Sequence, residues 1–168
     1  MMKMKKTIYF DMDGVLANFD KAVKQAEIPQ PWLDIPGFFS RLEPIGDPDQ
    51  TIKALKEKGY TVYILSKVEV RDNTERAKNK KEWISKFLPS IKEEDIIIVP
   101  IHEEKTDYIK SDIKDSILID DYKGNLIEWQ EKGGIAVKFG NKLKETRPYH
   151  QIVNSIAGIF NLLKEIEG

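Results

Sequence analysis

The chain contains no cysteine and only two histidines in 168 residues. Without cysteine there is no disulfide framework, no thiolate metal site and no thiol nucleophile, and a reducing compartment, the cytoplasm, is the expected location. An excess of charge is also missing: 27 Lys+Arg against 28 Asp+Glu leave a formal net charge of −1. No whole-molecule field therefore gathers a nucleic acid polymer or an anionic membrane surface. Long hydrophobic runs are absent too. The first one, Ile8-Tyr9-Phe10, stops at Asp11, short of the roughly 7–15 apolar residues of a signal-peptide core. No other stretch approaches the ~18 apolar residues of a membrane span, so a soluble, unprocessed protein is expected. There is no internal repeat and no low-complexity tract. A chain of this size buries roughly 70% of its unfolded surface, which suits one core, and a single domain over residues 1–168 is predicted.

What is present is a succession of short apolar runs: Thr7–Phe10, Tyr60–Leu65, Ile96–Val99, Ile117–Ile119 and Ile135–Phe139. They are rich in Ile, Val, Tyr and Phe, and several are continuous rather than alternating, as in strands covered on both faces. Helical patterns lie between them. Asp47-Pro48-Asp49-Gln50 supplies an N-cap, a first-turn proline and a Gln three residues past the cap, and Gly59 closes that segment. A second pattern spaces Trp83 from Phe87 and Ile84 from Leu88 by four and stops at Pro89. A third, Asn125–Gln130, ends at Gly133-Gly134. A last helix is read from Ile152, Ile156, Ile159, Leu163 and Ile166, packed on a sheet face. Trp83 and Trp129 belong to the core on this reading. Strand and helix in alternation predict an α/β fold, a Rossmann-like parallel five-stranded sheet with helices on both faces. The segment 18–44, with four prolines and the aromatics Phe19, Trp32, Phe38 and Phe39, fits neither strand nor crossover and reads as a small insert.

Ligands of such sheets sit beyond the carboxyl ends of the strands. Asp11-Met12-Asp13-Gly14 follows the first strand, Ser66 the second, a loop leading to Lys105 the third, and Asp120-Asp121 the fourth. Each piece alone is commonplace: an Asp at a strand end often forms a turn or a cap, and Lys105 stands in a charged loop. Together they bring four carboxylates, a hydroxyl and an ammonium to one edge. Crowded carboxylates raise one another's pKa, and a divalent cation removes the conflict. Oxygen ligands without Cys or His favour Mg2+, which keeps waters and a position for a substrate phosphate. An EF-hand loop is excluded because Gly14 stands three, not five, residues after Asp11. A response-receiver arrangement is excluded because no Asp directly follows the third strand. His102 and His150 read as surface residues.

Phe10-Asp11-Met12-Asp13-Gly14-Val15-Leu16-Ala17 resembles the first motif of the haloacid-dehalogenase-like (HAD) phosphatases. The strand ending in Ser66, a Lys before the fourth strand and Ile117-Leu118-Ile119-Asp120-Asp121 follow in that superfamily's order. Within it the chain is most similar to the 5′(3′)-deoxyribonucleotidases, through Leu16-Ala17-Asn18-Phe19, through residues 37–45 and through the Lys-x-x-Trp of Lys80–Trp83. The resemblance implies a Mg2+-dependent phosphomonoesterase. Asp11 would be the nucleophile that forms an aspartyl-phosphate, and Asp13 the general acid and then base. It implies metal ligands at Asp11, the Asp13 carbonyl and Asp121, with Asp120 close by. Phosphate would be held by Ser66 and Lys105, with Lys110 the alternative lysine. The segment 18–44 would be a short helical cap insert in place of that family's longer one; Phe19, at the family's substrate-contact position, would stack on a base, Trp32 and Phe38 either stack on it or hold the cap together, and Phe39 packs. Lys80 either reaches the phosphate or belongs to a solvated run at 78–81.

This chain departs from the nucleotidases in having Leu65-Ser66 where two hydroxyls are common, and in its short cap. The expected partner is a small phosphomonoester, a (deoxy)nucleoside monophosphate, acted on by a monomer or homodimer. A phosphatase for another small phosphorylated metabolite, and a non-catalytic phosphate-binding or regulatory module, are the alternatives.

Overall fold

A computed structural model describes residues 5–25, 37–68, 73–142 and 148–168. Its centre is a parallel sheet of six strands: β1 (Thr7–Phe10), β2 (Thr61–Val68), β3 (Ile96–Pro100), β4 (Ser116–Asp120), β5 (Ile135–Gly140) and β6 (His150–Val153), in the order β3-β2-β1-β4-β5-β6. The helices are α1 (Phe19–Gln25), α2 (Pro48–Glu57), α3 (Asn73–Phe87), α4 (Lys123–Glu131) and α5 (Ile159–Glu167). The predicted α/β class stands, with one strand more than expected.

Alternate residues of the strands feed two cores, as a period of two requires. Ile8, Phe10, Ile64, Ile117 and Ile119 pack with Ile52, Trp83 and Ile159 from α2, α3 and α5. Tyr9, Leu65 and Leu118 face the other way, onto Leu126 and Trp129 of α4. Trp83 and Trp129 are fully buried, and each satisfies its indole N–H: Trp83 Nε1 donates to the Leu42 carbonyl at 2.7 Å and Trp129 Nε1 to that of Ser116 at 3.1 Å. α2 begins as its sequence prescribes, the Asp47 carboxylate accepting from the Gln50 N–H at 3.3 Å.

The sixth strand corrects the reading of the last helix. Ile152 lies in β6 beside Phe139 of β5, and the helix begins only at Ile159. Ile152 and Ile156 are four apart and so mimic a helical step. Between them, however, Asn154 adopts φ 67° and Ser155 caps a 3-10 turn by accepting from the Ala157 N–H. A left-handed Asn followed by a capping Ser ends one element and starts another.

The strand order turns back between β1 and β4. A crevice opens there at the carboxyl ends of the strands, and Asp11 and Asp120 meet in it.

Candidate active site

Asp11 leaves β1 with its N–H still donating to the Ile119 carbonyl at 2.9 Å, so its carboxylate is fixed next to that of Asp120 at the end of β4. Lys105, in a 3-10 turn (Lys105–Tyr108) after β3, fills the space between them. Its ammonium donates to Asp11 Oδ1 at 3.0 Å and to Asp120 Oδ2 at 2.8 Å while only 1% exposed. Burial opposes charge on Lys105, but Asp11 and Asp120 overcome that and hold its pKa above the ordinary lysine range. Asp120 is held further, since Asn125 Nδ2 also donates to Oδ2 at 3.0 Å and the Tyr122 N–H to Oδ1 at 2.9 Å. Lys110 Nζ lies elsewhere, on the Glu94 carbonyl at 3.2 Å.

A second ammonium, Lys80, enters from α3. It is 2% exposed and donates to Asp13 Oδ2 at 2.7 Å, Ser66 Oγ at 2.8 Å and the Lys67 carbonyl at 2.8 Å. All three of its protons are used. The solvated-run reading of 78–81 therefore fails for Lys80. The spacing Arg76, Lys80, Trp83 and Ile84 is a helical stripe whose four members are all buried, and periodicity outweighs the local charge. Lys105 commits two protons to carboxylates and keeps a third for a ligand. Ser66 accepts from Lys80 and so retains its own O–H to donate.

Asp121 is exposed as a residue, yet its carboxylate leans on Gly14. A Cβ at Gly14, which has φ +81°, would lie 2.1 Å from Asp121 Oδ2. Asp11, Asp120 and Asp121 each offer a carboxylate oxygen within 4.8 Å of the others. Loss of water and the adjacent Asp120 push the Asp121 pKa up to about 7. Burial, then Asp120, raises Asp11 well above the carboxylate range, despite Lys105. Four carboxylates against two ammoniums leave the cluster acidic, so this all-oxygen donor set suits a hard divalent cation such as Mg2+.

These groups floor a cleft of about 640 Å3 whose side is aromatic. Phe19 and Phe39 line it with nearly parallel rings, 11° apart in plane and 6.2 Å between centroids. Lys80 Nζ stands 5.0 Å from the Phe39 ring centre. Phe38 is buried edge-on against both rings, 6.1 and 5.4 Å away, and supports the wall rather than lining it. Phe39, expected to pack, therefore lines the cleft, and Phe38 lies behind it; both stand in the 3-10 turn that the left-handed Gly37 (φ 70°) starts. Trp32 lies outside the described residues. His102 and His150 are exposed. Sequence reasoning missed Asn125, Arg76, Tyr122 and Glu128 at the cleft. Asn125 could have been found from its place one helical turn past Asp120-Asp121.

Among solved structures, the chain is similar in fold to L-2-haloacid dehalogenase from Xanthobacter autotrophicus, at 10% identity and a TM-score of 0.69 over 96% of this chain and 99% of that one. It is also similar to D,D-heptose 1,7-bisphosphate phosphatase from Burkholderia thailandensis, at 13% and 0.58 over 94% and 99%. A third match is a HAD-type hydrolase from Bacillus subtilis described as bound to magnesium, at 12% and 0.60 over 96% and 99%. No curated protein matches the chain significantly. The fold is that of the HAD-type hydrolases.

Residues 28–151 match the family described as 5′ nucleotidase, deoxy (Pyrimidine), cytosolic type C protein, and the chain belongs to that family. It is a nucleotidase-like hydrolase of phosphoric monoesters. The matched stretch begins after Asp11 and Asp13, whose place in the site rests on the geometry above. Among the described residues no helix is long and apolar enough to cross a membrane.

Proposed function

We propose that the protein removes phosphate from (deoxy)nucleoside monophosphates in the cytosol, through a covalent phosphoryl-Asp11 intermediate, with Mg2+ as cofactor. The observation that carries this reading is the cleft itself: carboxylates and ammoniums on its floor beside two stacked phenylalanines. The floor suits a phosphoryl group and the wall a planar base, a stack worth about 1–3 kcal/mol.

Mg2+ bound by Asp11, Asp121 and the Asp13 carbonyl, with Asp120 beside them, would offset the repulsion among the carboxylates and polarise the phosphoryl oxygens. Lys105 lies against Asp11 Oδ1 and keeps a proton for a phosphoryl oxygen. Ser66 donates to another oxygen. Both add stabilisation as charge spreads over the equatorial oxygens. Asp11 then displaces the alcohol by attack of a carboxylate oxygen on phosphorus. Asp13 Oδ2 is occupied by Lys80, whereas Oδ1 is buried without a hydrogen-bond partner among the described residues. Oδ1 is therefore the atom placed to give a proton to the leaving alkoxide and later to take one from the attacking water. Lys80 contributes by orientation, since its fork from Asp13 to Ser66 fixes the acid relative to the phosphate site.

The test is phosphate release from deoxynucleotides, ribonucleotides and sugar phosphates, with and without Mg2+, using Asp11→Asn as the blank. Mg2+-dependent release from nucleotides, abolished in Asp11→Asn, is expected. Equal activity in Asp11→Asn would refute the nucleophile assignment, and preference for a base-free ester would refute the substrate.

A further inference from the structure

Opposite in character to the charged floor, the mouth of the cleft carries two of the three large apolar side chains that stand exposed among the described residues. Tyr122 is 64% exposed and Ile101 39%, and both line the cleft. Solvated apolar side chains scattered singly need no explanation, but these two line the cleft that holds the carboxylates and ammoniums. Tyr122 does not wave freely. Its N–H is tied to Asp120 Oδ1, and its ring rests on Gly124 in the first turn of α4. A Cβ at Gly124 would meet Tyr122 Cε1 at 2.6 Å, Cζ at 3.0 Å and the hydroxyl at 3.2 Å. The absence of a side chain at 124 is therefore what seats the ring. No hydrogen bond or ring contact within the described residues uses the ring or its hydroxyl, so the fold gains little from it.

We infer that Tyr122 is a specificity-determining contact for the planar base of a nucleoside leaving group, received on the strand-loop side of the mouth and not on the cap alone. A ring pinned at one edge and open on its remaining surface is preorganised to stack, with little rotamer entropy left to lose on binding. This position follows directly after Asp120-Asp121, so base recognition is coupled by two peptide bonds to the carboxylates that organise the phosphate end. The inference rests on the nucleotidase reading and narrows it: part of the base preference is built into the catalytic core, which offsets a short cap.

The experiment compares kcat/KM for thymidine 5′-monophosphate with that for deoxyribose 5-phosphate, which carries an anomeric hydroxyl in place of the base. Tyr122→Ala is expected to lower this ratio about tenfold, the size of one base–aromatic stack, through KM and not kcat. Tyr122→Phe should restore the ratio, and Gly124→Ala, which keeps every aromatic ring but removes the seat, should lower it. Because Tyr122 is largely exposed, unchanged thermal unfolding is expected for its variants and separates recognition from folding. A ratio that stays at the wild-type value in Tyr122→Ala, or activity on both substrates that falls equally, would overturn the role of Tyr122. Wild-type protein that hydrolyses deoxyribose 5-phosphate and rejects the nucleotide would instead overturn the nucleotidase reading itself.

Discussion

Two buried lysines, paired with different carboxylates of one cluster, are set apart by their hydrogen bonds. Lys80 spends all three protons on protein acceptors, whereas Lys105 spends two, on Asp11 and Asp120. Lys105→Met removes the cation shared by two buried carboxylates, a change that costs about 3–5 kcal/mol when the orphaned charge has no other partner. Protonating Asp11, whose pKa burial raises well above the carboxylate range, relieves part of the cost. Urea unfolding of metal-free protein should therefore show a large destabilisation at pH 7.5 and a smaller one at pH 5; an equal loss at both would show that Lys105 is not balancing an ionised Asp11. Gly14 is the complementary case, where a residue matters for what it lacks. Gly14→Ala forces a Cβ into Asp121 Oδ2 and strains a backbone at φ +81°. Its expected effect is a Mg2+ affinity reduced at least tenfold by calorimetric titration, with the sheet intact by circular dichroism.

Elements were legible in the sequence wherever one local signal agreed with the packing. β1 to β5 announced themselves as short apolar runs, and α2 as an N-cap followed by proline. The motif carboxylates were readable for the same reason, because strand ends converge whatever the details of the loops. What escaped had competing signals. β6 is four residues long with an exposed first residue, and its Ile152 fell into step with the helix beyond. α3 hid Lys80 in a run of charge, although the stripe through Arg76, Trp83 and Ile84 was present in the spacing.

The distinction between Phe38 and Phe39 was not readable at all, since which ring meets the cleft depends on the turn at Gly37 and on how α3 packs. That packing hinges on Trp83, which reaches from α3 to the Leu42 carbonyl in the chain just beyond the aromatic turn. Trp83→Phe leaves a buried carbonyl without this donor, at about 1–3 kcal/mol. A lower urea midpoint with an unchanged slope is the expected outcome. An unchanged midpoint would mean that the bond does not anchor the aromatic wall.

At the scale of the molecule, a net charge of −1 conceals a fold that works against itself locally. The parallel sheet brings Asp11 from β1 and Asp120 from β4 together at the turning point of the strand order, and Asp13 and Asp121 follow each of them. In metal-free protein the strain shows as protons held too tightly: burial and the adjacent Asp120 push the Asp121 pKa up to about 7 from the ~3.9 of an unfolded aspartate, and burial raises that of Asp11 as well. A group whose pKa is raised by folding favours the folded state most below its unfolded value, and that contribution is lost as pH rises through its folded value. The metal-free fold should thus lose stability between about pH 4 and above 7 on account of these carboxylates. Mg2+ requires the same groups deprotonated and so acts in the opposite sense, competing with protons. At a fixed Mg2+ concentration, the rise in Tm over metal-free protein is therefore expected to be small at pH 5.5 and larger at pH 8, with protons released to the buffer on binding at pH 6.5. Differential scanning fluorimetry in matched buffers measures the first and calorimetry in buffers of different ionisation enthalpy the second. A Mg2+-induced shift that is the same at both pH values would mean that the cation binds without Asp11 and Asp121, and that the acidity of this edge is balanced within the protein alone.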